Sequence, residues 1–176
     1  MSQKAESISP LQIESQLLHL GNTPQQESQR FLKFPLNSEI NCLLPLGELQ
    51  GVVNVALKDI LPVPQISEFF LGIINWRGKA TWIVDLANLL GAPHWCRREP
   101  VPKSGMAMLI QVKNETVGLL VEQVNAIETY NPQQCLPVSE AMFNAQLRSF
   151  LKSYCIDSQG KPWMMLDIQA MIQAIA

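Results

Sequence analysis

Histidine is scarce in this sequence, and the patterns that mark common active sites are missing. The 176 residues include two histidines, His19 and His94, and no H-E-x-x-H, G-x-S-x-G or P-loop pattern. His94 lies close to Cys96 in the sequence, but these side chains alone fall short of the ligand set of a structural zinc site. We therefore expect no catalytic, metal-binding or cofactor-binding residues, and a protein that is not an enzyme.

Strong charge of either sign and long apolar runs are also missing. The net charge is −2, which gives no electrostatic reason to expect a nucleic-acid partner, because nucleic acids favour a strongly basic face. No apolar run approaches the ~18 residues of a membrane span, and the N-terminus lacks the apolar segment of a signal peptide. The cysteines form no C-x-x-C pair, and they are Cys42, Cys96, Cys135 and Cys155. We expect a cytoplasmic protein with reduced thiols, no nucleic-acid partner and no membrane insertion.

The sequence does contain the material for a β-rich core, with 47% hydrophobic residues and 16% charged residues. Residues 1–29 form a polar extension in which LQIESQLLHL could form one short helix. From Phe31 onwards, short apolar runs separated by turn residues predict β-strands. The proline-rich stretch 92–104 is expected to be a linker. DIQAMIQAIA at the end of the sequence predicts a short helix.

The second half of the sequence resembles the first. GKATWIVDLANLL starts at Gly78 and GKPWMMLDIQAMI starts at Gly160, 82 positions later. The repeat predicts two similar β lobes, about 30–91 and 105–176, joined by the linker. Lobes of this size bury too little surface to be stable alone, so we expect them to pack together around a groove. A chance similarity is the alternative.

Two aspartates recur at equivalent positions of the repeat. Asp85 and Asp167 each end a predicted strand and precede a short helix, where a carboxylate accepts hydrogen bonds from free backbone N–H groups. Helix capping is favoured over a catalytic pair, because a repeat would rarely duplicate an active site. On the same strands, Trp82 and Trp163 are expected to anchor the core.

A polar junction interrupts the apolar stretch GIINWRGKATWIVDL, residues 72–86. Gly78 permits a turn, and Gly160 repeats this role in the second half. Asn75 and Arg77 have no such counterpart, so turn formation alone does not require them. Arg77 either clamps a carboxylate of the same protein, for example between the lobes, or faces a partner. The residues leave both interpretations open.

Residues 60–91, ILPVPQISEFFLGIINWRGKATWIVDLANLLG, resemble the signature of CheW-like domains, above all in the N-x-R-G block. LLPLGELQGVV, VGLLVEQVNAIET and LKSYCIDSQGKPWMMLDIQAMI resemble other segments of the family. The resemblance covers about residues 30–174 and implies a CheW-like domain at 30–176. It implies an all-β fold of two packed five-stranded SH3-like β-barrel lobes with short helices, including one at the C-terminus.

The resemblance also implies a function. Members of the family are non-catalytic adaptors that join a CheA-type histidine kinase, through a regulatory domain of the same fold, to the cytoplasmic tip of a methyl-accepting chemoreceptor. The pathway could serve swimming chemotaxis, phototaxis or type IV pilus motility. The alternatives are an SH3-like protein-binding module acting outside chemosensing and a small enzyme with a dispersed site.

The family signature and its partner-contact region supply the expected partner-binding residues, which are Gly51, Val52, Val53, Gly72, Asn75, Arg77 and Gly78. Gly51 stands where family members commonly carry a glutamate, so we expect receptor recognition to differ here. In the linker, Trp95, Arg97 and Arg98 have no counterpart in the resemblance. Trp95 is expected to pack over the seam between the lobes.

Overall fold

Short runs of β-branched and aromatic residues form the strands of this protein, as their pattern predicts. The computed structural model describes residues 28–176, and the helix expected in LQIESQLLHL lies outside them. The strands are β1 (Gln29–Pro35), β2 (Asn41–Pro45), β3 (Leu49–Ala56), β4 (Phe70–Trp76), β5 (Lys79–Asp85), β6 (Ser104–Val112), β7 (Glu115–Val121), β8 (Ala126–Tyr130), β9 (Leu151–Ile156) and β10 (Pro162–Leu166).

Short helices connect or follow the strands. The α-helices in the described part of the chain are α1 (Leu86–Leu89), α2 (Ala145–Arg148) and α3 (Ile168–Ile175). Single 3-10 turns occupy Leu46–Glu48, Leu57–Asp59, Trp95–Arg97 and Pro132–Gln134. None of the helices in residues 28–176 has the length and apolar character of a membrane span.

The strands form two five-stranded sheets. In the first sheet the order is β8-β1-β2-β10-β9, and in the second sheet it is β3-β6-β7-β5-β4. Neighbouring strands are antiparallel except for β2 with β10 and β5 with β7, which are parallel. The prediction of a mostly β fold with two five-stranded units and few helices is therefore confirmed.

The sheets do not follow the predicted lobe boundaries. The first sheet combines β1 and β2 with three strands of the second half, and the second sheet combines β6 and β7 with three strands of the first half. Each parallel pair joins one half of the chain to the other. Segments 30–91 and 105–176 therefore share both sheets. The two sheets instead share the same arrangement of five strands, with β8, β1, β2, β10 and β9 in the places of β3, β6, β7, β5 and β4.

Strand pairing leaves both sheets open, so the closed SH3-like barrels are not found within residues 28–176. One isolated bridge per sheet carries the chain back to an outer strand. In the second sheet, Leu61 pairs with Ile73 of β4 through N–H···O bonds of 2.8 and 2.9 Å. In the first sheet, Leu136 pairs with Tyr154 of β9 through two bonds of 2.8 Å. We call these two contacts the closing bridges.

Side chains at alternating strand positions fill three apolar clusters. In β6, Met108 and Ile110 pack into the large cluster between the sheets, whereas Ala107 and Leu109 pack into a smaller cluster on the other face of the second sheet. The corresponding cluster of the first sheet contains Phe31, Leu43, Cys155, Trp163 and Met165. Because β6 is buried on both faces, its sequence is almost continuously apolar.

The tryptophans lie at or near the core. Trp163 is 4% exposed, and Trp82 is half-buried beside Phe70, with ring centroids 5.3 Å apart. Their anchoring role is confirmed. Trp95 does not lie over the seam: it is fully buried in the cluster of the second sheet, where its Nε1–H donates to the Pro102 carbonyl at 2.9 Å. The linker folds back onto that sheet and carries the indole inward.

The expectation of reduced thiols is wrong for two of the cysteines. Cys135 and Cys155 form a disulfide, whereas Cys42 and Cys96 are free. The first-sheet closing bridge aligns the bonded pair, because Cys135 directly precedes Leu136 and Cys155 directly follows Tyr154. This proximity arises from tertiary pairing, so the sequence carries no short cysteine motif for it.

The aspartates at equivalent positions of the repeat both cap helices, which confirms the capping prediction. The Asn88 N–H donates to Asp85 Oδ1 at 3.3 Å at the start of α1. The Ala170 N–H donates to Asp167 Oδ1 at 3.2 Å at the start of α3. Each cap satisfies a backbone donor that the first turn of a helix leaves free.

Asp85 also anchors the linker. Its fully buried carboxylate accepts a hydrogen bond from the Trp95 N–H at 2.6 Å and pairs with the Arg98 guanidinium at 2.9 Å. Arg98 reaches Glu122 as well, at 3.0 Å. Burial raises the pKa of Asp85, and the positive charge of Arg98 opposes that shift. One carboxylate therefore caps α1 and fixes the course of the linker.

The two aspartates should differ in their contribution to stability. We expect Asp85→Ala to lower the free energy of unfolding by about 3–5 kcal/mol, because Arg98 loses a buried partner and Trp95 a hydrogen bond. Asp167→Ala should lower it by only about 1 kcal/mol, the loss of one cap. Urea denaturation at pH 7 measures both values. Equal losses would contradict the anchoring role of Asp85.

Candidate partner-binding surface

Arg77 and Gly78 form the two-residue turn between β4 and β5. The flanking residues Trp76 and Lys79 pair with each other, and the φ angles at 77 and 78 are +50° and +78°. Two successive positive φ angles are typical of a type I′ turn. The Gly78 N–H donates to Asn75 Oδ1 at 3.0 Å. Asn75 therefore helps to form the turn that directs residue 77 away from the sheet.

Asn75 has a functional counterpart in the second half of the chain. The prediction that turn formation does not require Asn75 is therefore wrong. Asp157 lies 82 positions later, and its Oδ1 accepts hydrogen bonds from the N–H groups of Gln159 and Lys161 at 2.9 Å each. A carboxylate replaces the amide in the same turn-forming role. Turn formation therefore explains Asn75 but not Arg77.

The Arg77 side chain is exposed and has no carboxylate partner within residues 28–176. Its guanidinium lies over the ring of half-buried Trp76, with Cζ 4.6 Å from the ring centroid. Ion pairs in the described part of the chain involve other cations, which are Lys33, Arg97 and Arg98. The structure therefore does not support an internal clamp at Arg77. The cation–π contact holds its charge at the surface.

Gly72 is required by packing within the second sheet. It is buried, has a φ of +141° and lies at a bulge in β4. A Cβ at this position would overlap the Leu61 carbonyl. The missing side chain therefore lets the closing bridge approach β4. Because Gly72 is buried, it offers a partner little surface.

Gly51, Val52 and Val53 lie on β3, the outer strand at the other end of the second sheet's strand order. Val52 packs against the cluster between the sheets and Val53 against the cluster of the second sheet, so both contribute to the core. A Cβ at Gly51 would lie 3.9 Å from Leu109 Cδ1, an ordinary contact. Position 51 therefore has room for a side chain, and packing does not require glycine there.

The predicted residues lie on two outer strands of the second sheet. Those on β3 and those on β4 and its turn lie at opposite ends of the strand order. The exposed members are Asn75, Arg77 and Gly78. Leu61, which is 63% exposed, lies at the same outer edge through its pairing with Ile73 of β4. The turn and Leu61 together form the candidate partner-binding surface.

A groove lies between the linker and the turn that joins β1 to β2. The groove expected between two lobes stays a prediction, because both halves of the chain share both sheets. The lining of the observed groove includes Leu36, Asn37, Pro93, Arg98, Glu122 and Gln123. The charge of Arg98 is already paired there, with Asp85 and Glu122. No sequence signal marked Arg98, because its partners lie elsewhere in the chain. Within residues 28–176, no group of three or more histidine, cysteine, aspartate or glutamate side chains could hold a metal ion.

The chain is similar to known proteins across most of its length. The family model of the CheW-like domain matches residues 30–176. The chain is 31% identical over 114 residues to the chemotaxis protein CheW of Rhizobium meliloti (strain 1021), covering 61% of this chain and 70% of that protein. It is 29% identical over 120 residues to the chemotaxis protein CheW of Thermotoga maritima, covering 67% of this chain and 72% of that protein.

A solved structure shares the fold. The scaffolding protein TtCheW from Thermoanaerobacter tengcongensis superposes with a TM-score of 0.64 at 19% sequence identity. The superposition covers 79% of this chain and 88% of that one. At this identity the comparison shows the fold alone.

Two glycines of the signature should respond differently to substitution. We expect Gly72→Ala to lower the free energy of unfolding by ~3 kcal/mol or more, because the new Cβ overlaps the Leu61 carbonyl at a positive φ. Gly78→Ala should lower it by about 1 kcal/mol, because no atom lies within 4 Å of its Cβ and only the positive φ is unfavourable. Thermal unfolding followed by circular dichroism compares them. Equal shifts would contradict the packing role of Gly72.

Proposed function

The chain belongs to the CheW-like domain family, and we propose that it couples the cytoplasmic tip of a methyl-accepting chemoreceptor to the regulatory domain of a CheA-type histidine kinase. The family consists of non-catalytic chemotaxis adaptors, and this chain is not an enzyme. In this proposal the protein works in the cytoplasm. The pathway serves swimming chemotaxis, phototaxis or type IV pilus motility.

The exposed Arg77 guanidinium is the observation that carries the proposal. The type I′ turn fixes its backbone and the Trp76 ring supports its side chain. A pre-positioned arginine loses little conformational freedom on binding and can pair with a carboxylate through two N–H donors. Leu61, 63% exposed, supplies an apolar contact at the same edge. In the proposed complex this surface contacts the kinase regulatory domain.

The receptor contact is proposed to include Gly51 on β3. This strand lies at the other end of the second sheet's order from β4. Placing the two contacts on different outer strands would let one adaptor molecule hold kinase and receptor together. The open position at Gly51 would admit a receptor side chain where a family glutamate would otherwise stand.

Calorimetric titration of the full chain with the regulatory domain of the histidine kinase from the same organism tests the proposal. We expect a Kd roughly in the micromolar range, as for small interfaces. Arg77→Ala should weaken binding roughly 30-fold, because an interface arginine is lost. The same variant should change the free energy of unfolding by less than ~0.5 kcal/mol, because the side chain is exposed.

Lys113→Ala is the matched control for Arg77→Ala. Lys113 has a φ of +55° in the turn between β6 and β7, so this variant removes one positive charge from a similar backbone conformation in another hairpin. We expect it to bind the kinase domain as the unmodified chain does. Absence of a complex at ~100 μM kinase domain would contradict the adaptor proposal. Unchanged binding by Arg77→Ala would exclude the turn from the interface.

A glutamate at position 51 should separate the two contacts. Gly51→Glu should fold normally, because its Cβ makes only an ordinary contact with Leu109. We expect it to weaken binding of the receptor's cytoplasmic fragment roughly tenfold, because a carboxylate would be desolvated in an interface fitted to glycine. Gly51→Ala should change this affinity less, and neither variant should affect kinase-domain binding. Titrations of each variant with the receptor fragment and with the kinase domain measure the four affinities. Equal effects of Gly51→Glu and Gly51→Ala on receptor binding would show that the negative charge is not what weakens it.

A further inference from the structure

The two closing bridges occupy equivalent places in the two sheets. Each joins the segment after an outer strand, β3 or β8, to the other outer strand, β4 or β9. A 3-10 turn precedes the bridge in both cases, Leu57–Asp59 in one sheet and Pro132–Gln134 in the other. The repeat in strand order therefore extends to the way in which each sheet is fastened.

The residues that flank the bridges differ in chemistry. Ile60 precedes the second-sheet bridge and Ile74 follows it, and both pack into the apolar cluster of that sheet. Cys135 and Cys155 hold the corresponding positions beside the first-sheet bridge, and they are joined covalently. Apolar packing fastens one sheet where a disulfide fastens the other.

We propose that Cys135 and Cys155 form a redox-responsive lock on the first sheet, and this inference goes beyond the adaptor function. Reduction by a dithiol breaks the Sγ–Sγ bond and leaves the first-sheet bridge with only its two backbone hydrogen bonds. The second sheet has no bond of this kind at its bridge and does not respond. The protein therefore carries one switchable fastening and one permanent fastening.

Burial sets the direction of the exchange reaction. Cys135 is half-buried, whereas Cys155 is 4% exposed, so an incoming thiolate reaches Cys135 Sγ. The new mixed disulfide forms there, and Cys155 leaves as a thiolate that takes up a proton. The second thiol of the reductant then attacks its own bonded sulfur and releases Cys135. The protein gains two electrons and two protons, and the dithiol becomes a disulfide.

The remaining cysteines leave this exchange undisturbed. Cys42 is fully buried and burial raises the pKa of its thiol far above the usual value, so it supplies no thiolate. Cys96 is exposed in the linker and can be removed as Cys96→Ser. That variant keeps the lock and excludes disulfides between molecules.

Amide hydrogen exchange by NMR on the full chain carrying Cys96→Ser tests the lock, with and without dithiothreitol. Leu136 and Tyr154 donate their N–H groups across the first-sheet bridge, and Leu61 and Ile73 donate theirs across the second. We expect reduction to speed exchange at Leu136 and Tyr154 at least about tenfold and to leave Leu61 and Ile73 unchanged. The melting temperature should fall by about 5–10 °C.

Thiol counting and a second variant make the result decisive. Alkylation in denaturant should label one cysteine before reduction and three after it in the Cys96→Ser chain. Cys135→Ser combined with Cys155→Ser should reproduce the amide exchange rates of the reduced protein. If this double variant does not fold, the comparison of the oxidised and reduced Cys96→Ser chain tests the proposal by itself. Three free thiols in protein purified without reductant would overturn the proposal. Unchanged exchange at Leu136 and Tyr154 after reduction would overturn it too.

Discussion

Parallel pairing of β2 with β10 and of β5 with β7 joins the two halves of the chain, and the rest of the structure depends on it. Because each sheet takes strands from both halves, neither sheet can be completed until distant segments meet. The apolar cluster between the sheets then buries side chains from both at once. Such long-range pairing favours cooperative unfolding of the whole domain over independent loss of one sheet.

The Asp85 network reinforces one of these parallel pairs. Asp85 stands at the end of β5, opposite Leu120 of β7. Arg98 bonds to Asp85 and to Glu122, the residue that follows β7, so its guanidinium spans the ends of both strands. The linker that carries Arg98 leads directly into β6. A single buried ion pair thus fixes the strand ends and the route of the chain to the next strand.

Local features of this protein could be predicted from the sequence, and long-range ones could not. Strand positions, the caps at Asp85 and Asp167, and the turn at Gly78 depend on neighbouring residues, so the sequence pattern identifies them. The exchange of strands between halves depends on pairing over long separations, which a repeat of strand order does not reveal. The disulfide and the Arg98 ion pair arise from the same pairing. A comparison of residue types does not reveal the role of Asn75, because its counterpart, Asp157, is a different residue type with the same hydrogen-bonding role.

The differences between the two sheets indicate where specialised roles lie. Where both sheets need a feature for folding, the repeat keeps its hydrogen-bonding role, as with the two capping aspartates and the two turn-forming side chains. Arg77 has Gln159 at its corresponding position, so folding does not call for a guanidinium there. The disulfide of Cys135 and Cys155 likewise stands where the other sheet has two isoleucines, and those isoleucines hold their bridge by apolar packing alone. Arg77 and the two cysteines thus differ from the residues at the equivalent positions of the other sheet, and folding does not require the difference. Selection by a partner or by redox conditions explains these residues better than folding does.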